Sequence, residues 1–179
     1  GFTAVDGGVR VALGSYYKAT HGMEATRDGR VKEFTLMFDY RLTTLEGAVW
    51  YGMFQSNLAN SSGDESDLWI DSYDGSIGLV DYGSGNNPYP IPLETTNYHR
   101  LVVSFNLPEM KIYVDGVLHI TRPNQGSDGK ENRQSLDPAG VLFFADGVGW
   151  DTDIDISAIS IWNKQLTDAE VAALGGIAE

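Results

Sequence analysis

Cysteine is absent from the 179 residues, so no disulfide, thiol nucleophile or cysteine-held zinc is available. A chain of this length still buries a core without such staples, and one domain over residues 1–179 is expected. Positive charge is scarce: 12 Lys and Arg stand against 25 Asp and Glu, for a formal charge of −13. A field of that sign repels phosphate backbones and anionic lipid. Nucleic acid is therefore not an expected partner; cations, neutral sugars and basic protein surfaces are. No apolar run approaches the roughly 20 residues of a membrane helix, so membrane insertion is not expected. Catalytic signatures are missing too. His21, His99 and His119 stand in unrelated contexts, with no H-E-x-x-H. There is no G-x-S-x-G, and Gly83-Ser84-Gly85-Asn86-Asn87 lacks the lysine and helix of a phosphate loop.

What the sequence has is a period of two. Phe34, Leu36, Phe38, Tyr40 and Leu42 fall on one face, and Thr35, Met37, Asp39 and Arg41 on the other, which predicts a half-buried strand. Val9, Val11 and Leu13 form an earlier one. In the run 48–55, Val49, Tyr51 and Met53 oppose Trp50 and Phe54. The runs 68–73 and 76–82 join through Asp74-Gly75, a hairpin signal because glycine accepts positive φ. The runs 99–106, 110–115 and 117–121 form a meander that turns at Asp115-Gly116, and 141–145 and 154–162 supply the last strands. The segments 57–67, 83–92 and 122–140, rich in Gly, Ser, Asn, Asp and Pro, are loops. One helix is predicted near the end. Thr167 and Glu170 make a capping box, Leu166 staples onto Val171, and Gly175-Gly176 stops the helix at the sandwich edge. Short strands at this spacing predict an all-β, two-sheet antiparallel sandwich with one short C-terminal helix.

Two stretches carry a family likeness. Leu101-Val102-Val103-Ser104-Phe105 followed by Met110-Lys111-Ile112-Tyr113-Val114-Asp115-Gly116 resembles the central hairpin of laminin G-like domains. The tail from Ile159 through Trp162-Asn163 and Leu166 to Val171 is similar to that family's closing strand and helix. The opening Phe2 to Leu13, with Asp6-Gly7-Gly8, resembles its first strands. The resemblance implies a jelly roll of the concanavalin A-like lectin and glucanase type. It also implies an extracellular, secreted or cell-surface setting, and glycan or glycoprotein partners, in many members with structural Ca²⁺. The superfamily includes glycosidases, so fold by itself does not assign function.

The stretch Trp150-Asp151-Thr152-Asp153-Ile154-Asp155 bears on both the metal and the catalytic reading. If extended, Asp151, Asp153 and Asp155 project from one face at intervals of about 7 Å. An EF-hand is excluded, because Ile156 and Trp162 occupy the places of its glycine and last glutamate. A jelly-roll Ca²⁺ site, as the resemblance implies it, would use Asp6 with Asp153 or Asp155. The alternative is a solvated acidic strand that resists edge pairing. As a glucanase motif the stretch falls short. Asp153 and Asp155 mimic the first two carboxylates, but Ser157 or Ala158 stands where the acid belongs, and retaining hydrolysis needs two carboxyl groups about 5 Å apart. For a sugar, Trp69, Asp71 and Tyr73 share one strand face, and Tyr82 follows nearby. That face offers an aromatic platform with polar neighbours, or else aromatics that simply pack beneath a loop. The sequence thus points to a non-catalytic binding module for carbohydrate or a glycosylated surface partner. A glycoside hydrolase and a protein-binding adhesion domain are the alternatives.

Overall fold

The computed structural model describes residues 1–47, 49–56, 58–60, 68–79, 90–106, 109–123, 134–145, 147 and 152–177. Among the described residues, twelve strands form two antiparallel sheets. They are β1 (Phe2–Val5), β2 (Gly8–Val11), β3 (Tyr17–Ala19), β4 (Phe34–Leu42), β5 (Trp50–Gln55), β6 (Leu68–Asp71), β7 (Ile77–Leu79), β8 (His99–Phe105), β9 (Glu109–Val114), β10 (Val117–Pro123), β11 (Val141–Phe143) and β12 (Ile154–Trp162). One sheet has seven strands, in the order β1-β2-β12-β4-β8-β9-β10, and the other five, in the order β3-β11-β5-β6-β7. The last strand therefore lies between the first hairpin and β4. The all-β sandwich expected from the periodicity is the fold observed.

Between the sheets lies a core that includes Phe34, Leu36, Phe38, Tyr40 and Leu42 of β4, Leu68 and Ile70 of β6, and Ile154 and Ile156 of β12. Removing such side chains from water is the main favourable term in folding. The β8-β9-β10 meander turns at Asp115-Gly116, where both residues have positive φ (50° and 81°).

Three features differ from the sequence reading. First, β4 is buried on both faces: Thr35, Met37 and Asp39 are as inaccessible as the core row. The cause is the helix α1 (Asp168–Leu174), which lies on the outer face of the seven-stranded sheet rather than at an edge. Leu166 and Val171 bury there with Met37, Val102 and Tyr113. Asp168 accepts hydrogen bonds from the Tyr113 hydroxyl and the Lys111 ammonium, both at 2.8 Å. The Thr167–Glu170 capping box is present, and Gly175 ends the helix at φ 62°.

Second, a register shift between Gly52 and Phe54 turns both Met53 and Phe54 into the core. Strict alternation would have placed them on opposite faces. Third, β12 has a bulge between Ile156 and Ala158. Ile159 and Ile161 face the core beyond it, while Ala158 and Trp162 join the helix side.

Candidate ligand-binding site

The outer face of the five-stranded sheet is built around Trp69. Leu68 and Ile70 enter the core, so alternation turns Trp69 and Asp71 outward. Trp69 has glycine on both sides: its Cα partners are Gly52 on β5 and Gly78 on β7. A Cβ on Gly78 would fall 1.8 Å from Trp69 Cε2 and 2.0 Å from Nε1. The indole therefore lies flat across the Gly78 backbone, in space that any side chain would fill. Isolated glycines inside strands signal this kind of close approach. One face of the ring rests on the sheet and the other is turned away from it.

Trp50 is the second aromatic of this face. It pairs with Asp71 and is half-buried beside the core residue Tyr51. The diagonal between neighbouring strands puts its Cβ about 7–8 Å from that of Trp69. Further along β5, Gln55 lies opposite Leu142 on β11, whose other partner is the exposed Lys18 on β3. Phe54 and Phe143 point inward, so this row points outward. Gln55 is 1% exposed, and neither its amide oxygen nor its amide nitrogen has a hydrogen-bond partner. An amide left this way costs several kcal/mol of desolvation, on the order of 2–7.

The expected sugar-binding residues do not all gather here. Trp69 and Asp71 share the face as predicted. The Asp71 carboxylate is partly engaged, since its Oδ1 accepts from the Tyr73 amide at 2.8 Å. Tyr73 does not share the face, because β6 ends at Asp71 and the chain turns. The tyrosine stands at the rim, 77% exposed. Tyr82, like Asp151, lies outside the described residues. Trp50 and Gln55 were not singled out from sequence. The pair Gly52 and Gly78, which flanks Trp69, is the sequence signal for the platform.

Asp6, Asp153 and Asp155 do not form the oxygen cage expected for Ca²⁺. Asp155 is enclosed by cations instead. Its Oδ1 accepts from Arg10 Nε at 2.7 Å, and its Oδ2 from Arg10 Nη2 at 3.0 Å and Arg41 Nη2 at 2.9 Å. Two guanidiniums on one buried carboxylate leave no net negative charge for a divalent ion. Burial is the largest single influence on Asp155 and raises its pKa. The hydrogen bonds from Arg10 and Arg41 together outweigh burial and hold it below the ordinary carboxylate value. The same bond to Asp155 raises the pKa of Arg10.

Asp153 Oδ1 accepts from the Leu13 amide at 2.8 Å, and Asp6 offers its carbonyl to the Tyr98 hydroxyl at 3.1 Å. The Arg41 guanidinium lies over the Tyr98 ring, 4.7 Å from its centre. Among the described residues, no group of three or more His, Asp or Glu is placed to hold a metal. Ser157, two residues after Asp155, stands exposed at the β12 bulge, so a hydroxyl occupies the place of the third carboxylate of a glucanase motif.

No protein-family model matches this chain, and no curated protein matches it in sequence. Solved structures share its fold. The Ruminococcus gnavus IT-sialidase CBM40 bound to α2,3 sialyllactose superposes with a TM-score of 0.64 at 16% identity, covering 94% of this chain and 96% of that one. Trypanosoma rangeli sialidase gives 0.67 at 17% identity over 97% of this chain, and the chain spans 28% of that protein's length. The binding domain of botulinum neurotoxin serotype D gives 0.60 at 13% identity, over 93% and 41% of the two chains. All three likenesses are of the β-sandwich fold. Among the described residues, no helix is long and apolar enough to cross a membrane.

Proposed function

We propose that this chain is a non-catalytic carbohydrate-binding module of laminin G-like type, displayed outside the cell, which holds a glycan on the outer face of its five-stranded sheet. The observation that carries this reading is the Trp69 indole lying flat on Gly78 between two glycine positions. A flat aromatic face braced on the sheet suits the apolar face of a pyranose ring, and the partly exposed Asp71 carboxylate suits its hydroxyls. The fold shared with a CBM40 bound to sialyllactose supports the reading at the level of architecture. Engagement of Asp155 by two arginines, with serine beyond it, supports binding over hydrolysis.

The test is isothermal titration of neutral and acidic oligosaccharides against the chain and its Trp69→Ala variant. Binding that disappears in the variant, with an unchanged far-UV spectrum, is expected. Turnover of any glycan in a reducing-sugar assay would overturn the non-catalytic part. Binding untouched by Trp69→Ala would move the site elsewhere.

A further inference from the structure

We infer that the chain has a second saccharide site, a cleft at the end of the sandwich walled by Trp162, which takes an uncharged oligosaccharide and rejects acidic ones. It rests on the carbohydrate reading for its ligand class, and it is separate from the Trp69 face. The segment 20–33 joins β3 to β4 and runs beside the end of β12. Between them lies a cavity of about 860 Å³, lined by residues from both. That is within the range of small-molecule sites, roughly 300–1,000 Å³.

The β12 bulge prepares the wall. Beyond it Ile161 packs on the main core and Trp162 on the helix-side cluster, so both side chains are braced and half-buried. Met23, packed on the core like Ile161, adds an apolar surface to the lining. A braced tryptophan keeps its stacking surface without losing side-chain entropy when a ligand arrives.

The polar side of the cleft is selective by charge. The His21 ring is engaged at both nitrogens: Nε2 donates to the Asp137 carbonyl at 2.8 Å, and Nδ1 accepts from the Met23 amide at 3.1 Å. With both nitrogens engaged, the ring serves to set the loop. Lys32 is ion-paired with Asp28. Glu24 and Glu33 are exposed on the lining, beside the Asn163 amide.

The cleft therefore offers carboxylate acceptors and an amide donor around an aromatic wall, with its one lysine already neutralised. Sugar hydroxyls satisfy such a set. The carboxylate of a uronate or a sialoside would meet Glu24 and Glu33 as like charges.

The experiment is an amide NMR titration with cellohexaose and mannohexaose as neutral probes and hexagalacturonate as the acidic one. It uses the wild-type chain, Trp69→Ala, and the surface variant Glu24→Lys/Glu33→Lys. The neutral probes should shift the Met23, Glu24 and Asn163 amides and the Trp162 indole N–H, and should do so equally in Trp69→Ala. In the lysine variant their affinity should fall by about tenfold, while hexagalacturonate gains the same cleft shifts. Shifts confined to β5–β7 with a neutral probe would overturn the cleft and leave the Trp69 site standing. No shift anywhere with any probe would overturn both.

Discussion

Arg41 Nη2 and Asp155 Oδ2 meet at 2.9 Å across adjacent strands, and the carboxylate they share with Arg10 is 1% exposed. This contact ties the opening hairpin, β4 and the closing strand into one unit, because Asp155 lies between Arg10 and Arg41 in the sheet register. The two cations surround the carboxylate where a bound cation was expected.

Asp155→Asn should therefore cost stability without any link to metal. Removing the charge leaves Arg41 unbalanced in a mostly buried place, which costs about 3 kcal/mol; the partial exposure of Arg10 keeps the loss at the low end for buried pairs. Urea unfolding of the variant and the wild type measures it. In parallel, EDTA and millimolar Ca²⁺ should leave the wild-type melting temperature unchanged. A rise with Ca²⁺ would mean that another set of ligands exists.

The acid limb of the stability curve should report the same carboxylate. Its folded pKa lies below its unfolded value because the two arginines hold the charged form. Such a group contributes stability above the unfolded value near 3.9 and loses it as pH falls through the lower folded one. Wild-type stability should thus drop as pH falls below about 4, and the drop should be shallower in Asp155→Asn. Parallel curves for the two proteins would remove Asp155 as the cause.

Gly78→Ala should damage binding more than folding. Its Cβ would stand 1.8 Å from the Trp69 ring, so the indole must tilt off the sheet. Loss of a flat stacking surface predicts about a tenfold weaker affinity for whichever oligosaccharide the Trp69 face takes. Near-UV circular dichroism should change while the far-UV spectrum is kept. Unaltered affinity would sink the platform.

Tyr40→Phe should raise stability by about 1 kcal/mol, since a buried hydroxyl without a partner carries a desolvation penalty. The Tyr40 ring is fully enclosed, its hydroxyl has no hydrogen-bond partner, and burial raises its pKa. Thermal unfolding reads the change. A fall in melting temperature would show that the oxygen fills space that the ring alone leaves empty.

Much of the fold was legible in the chain because its signals are local. Alternation in 34–42, the Asp115-Gly116 turn and the Thr167–Glu170 box each lie within a few residues, and each forms, though α1 buries the row of β4 that was read as polar and exposed. The candidate site was half legible. Trp69 and Asp71 follow from alternation, but Tyr73 fell off the face when β6 stopped two residues early. The Trp162 cleft left no sequence pattern, since its walls come from segments more than a hundred residues apart.

The sequence by itself determined strand period, turns, helix cap and an acidic surface, because backbone sterics and side-chain alternation act between near neighbours. Tertiary structure alone decided which face each residue joins after the shifts at Gly52/Phe54 and Ile156/Ala158, since one extra residue in a ladder reverses alternation. It also decided that Asp155 answers to Arg10, 145 positions away, and to Arg41, 114 positions away. Strand order brings those three side chains together, and no spacing along the chain encodes it.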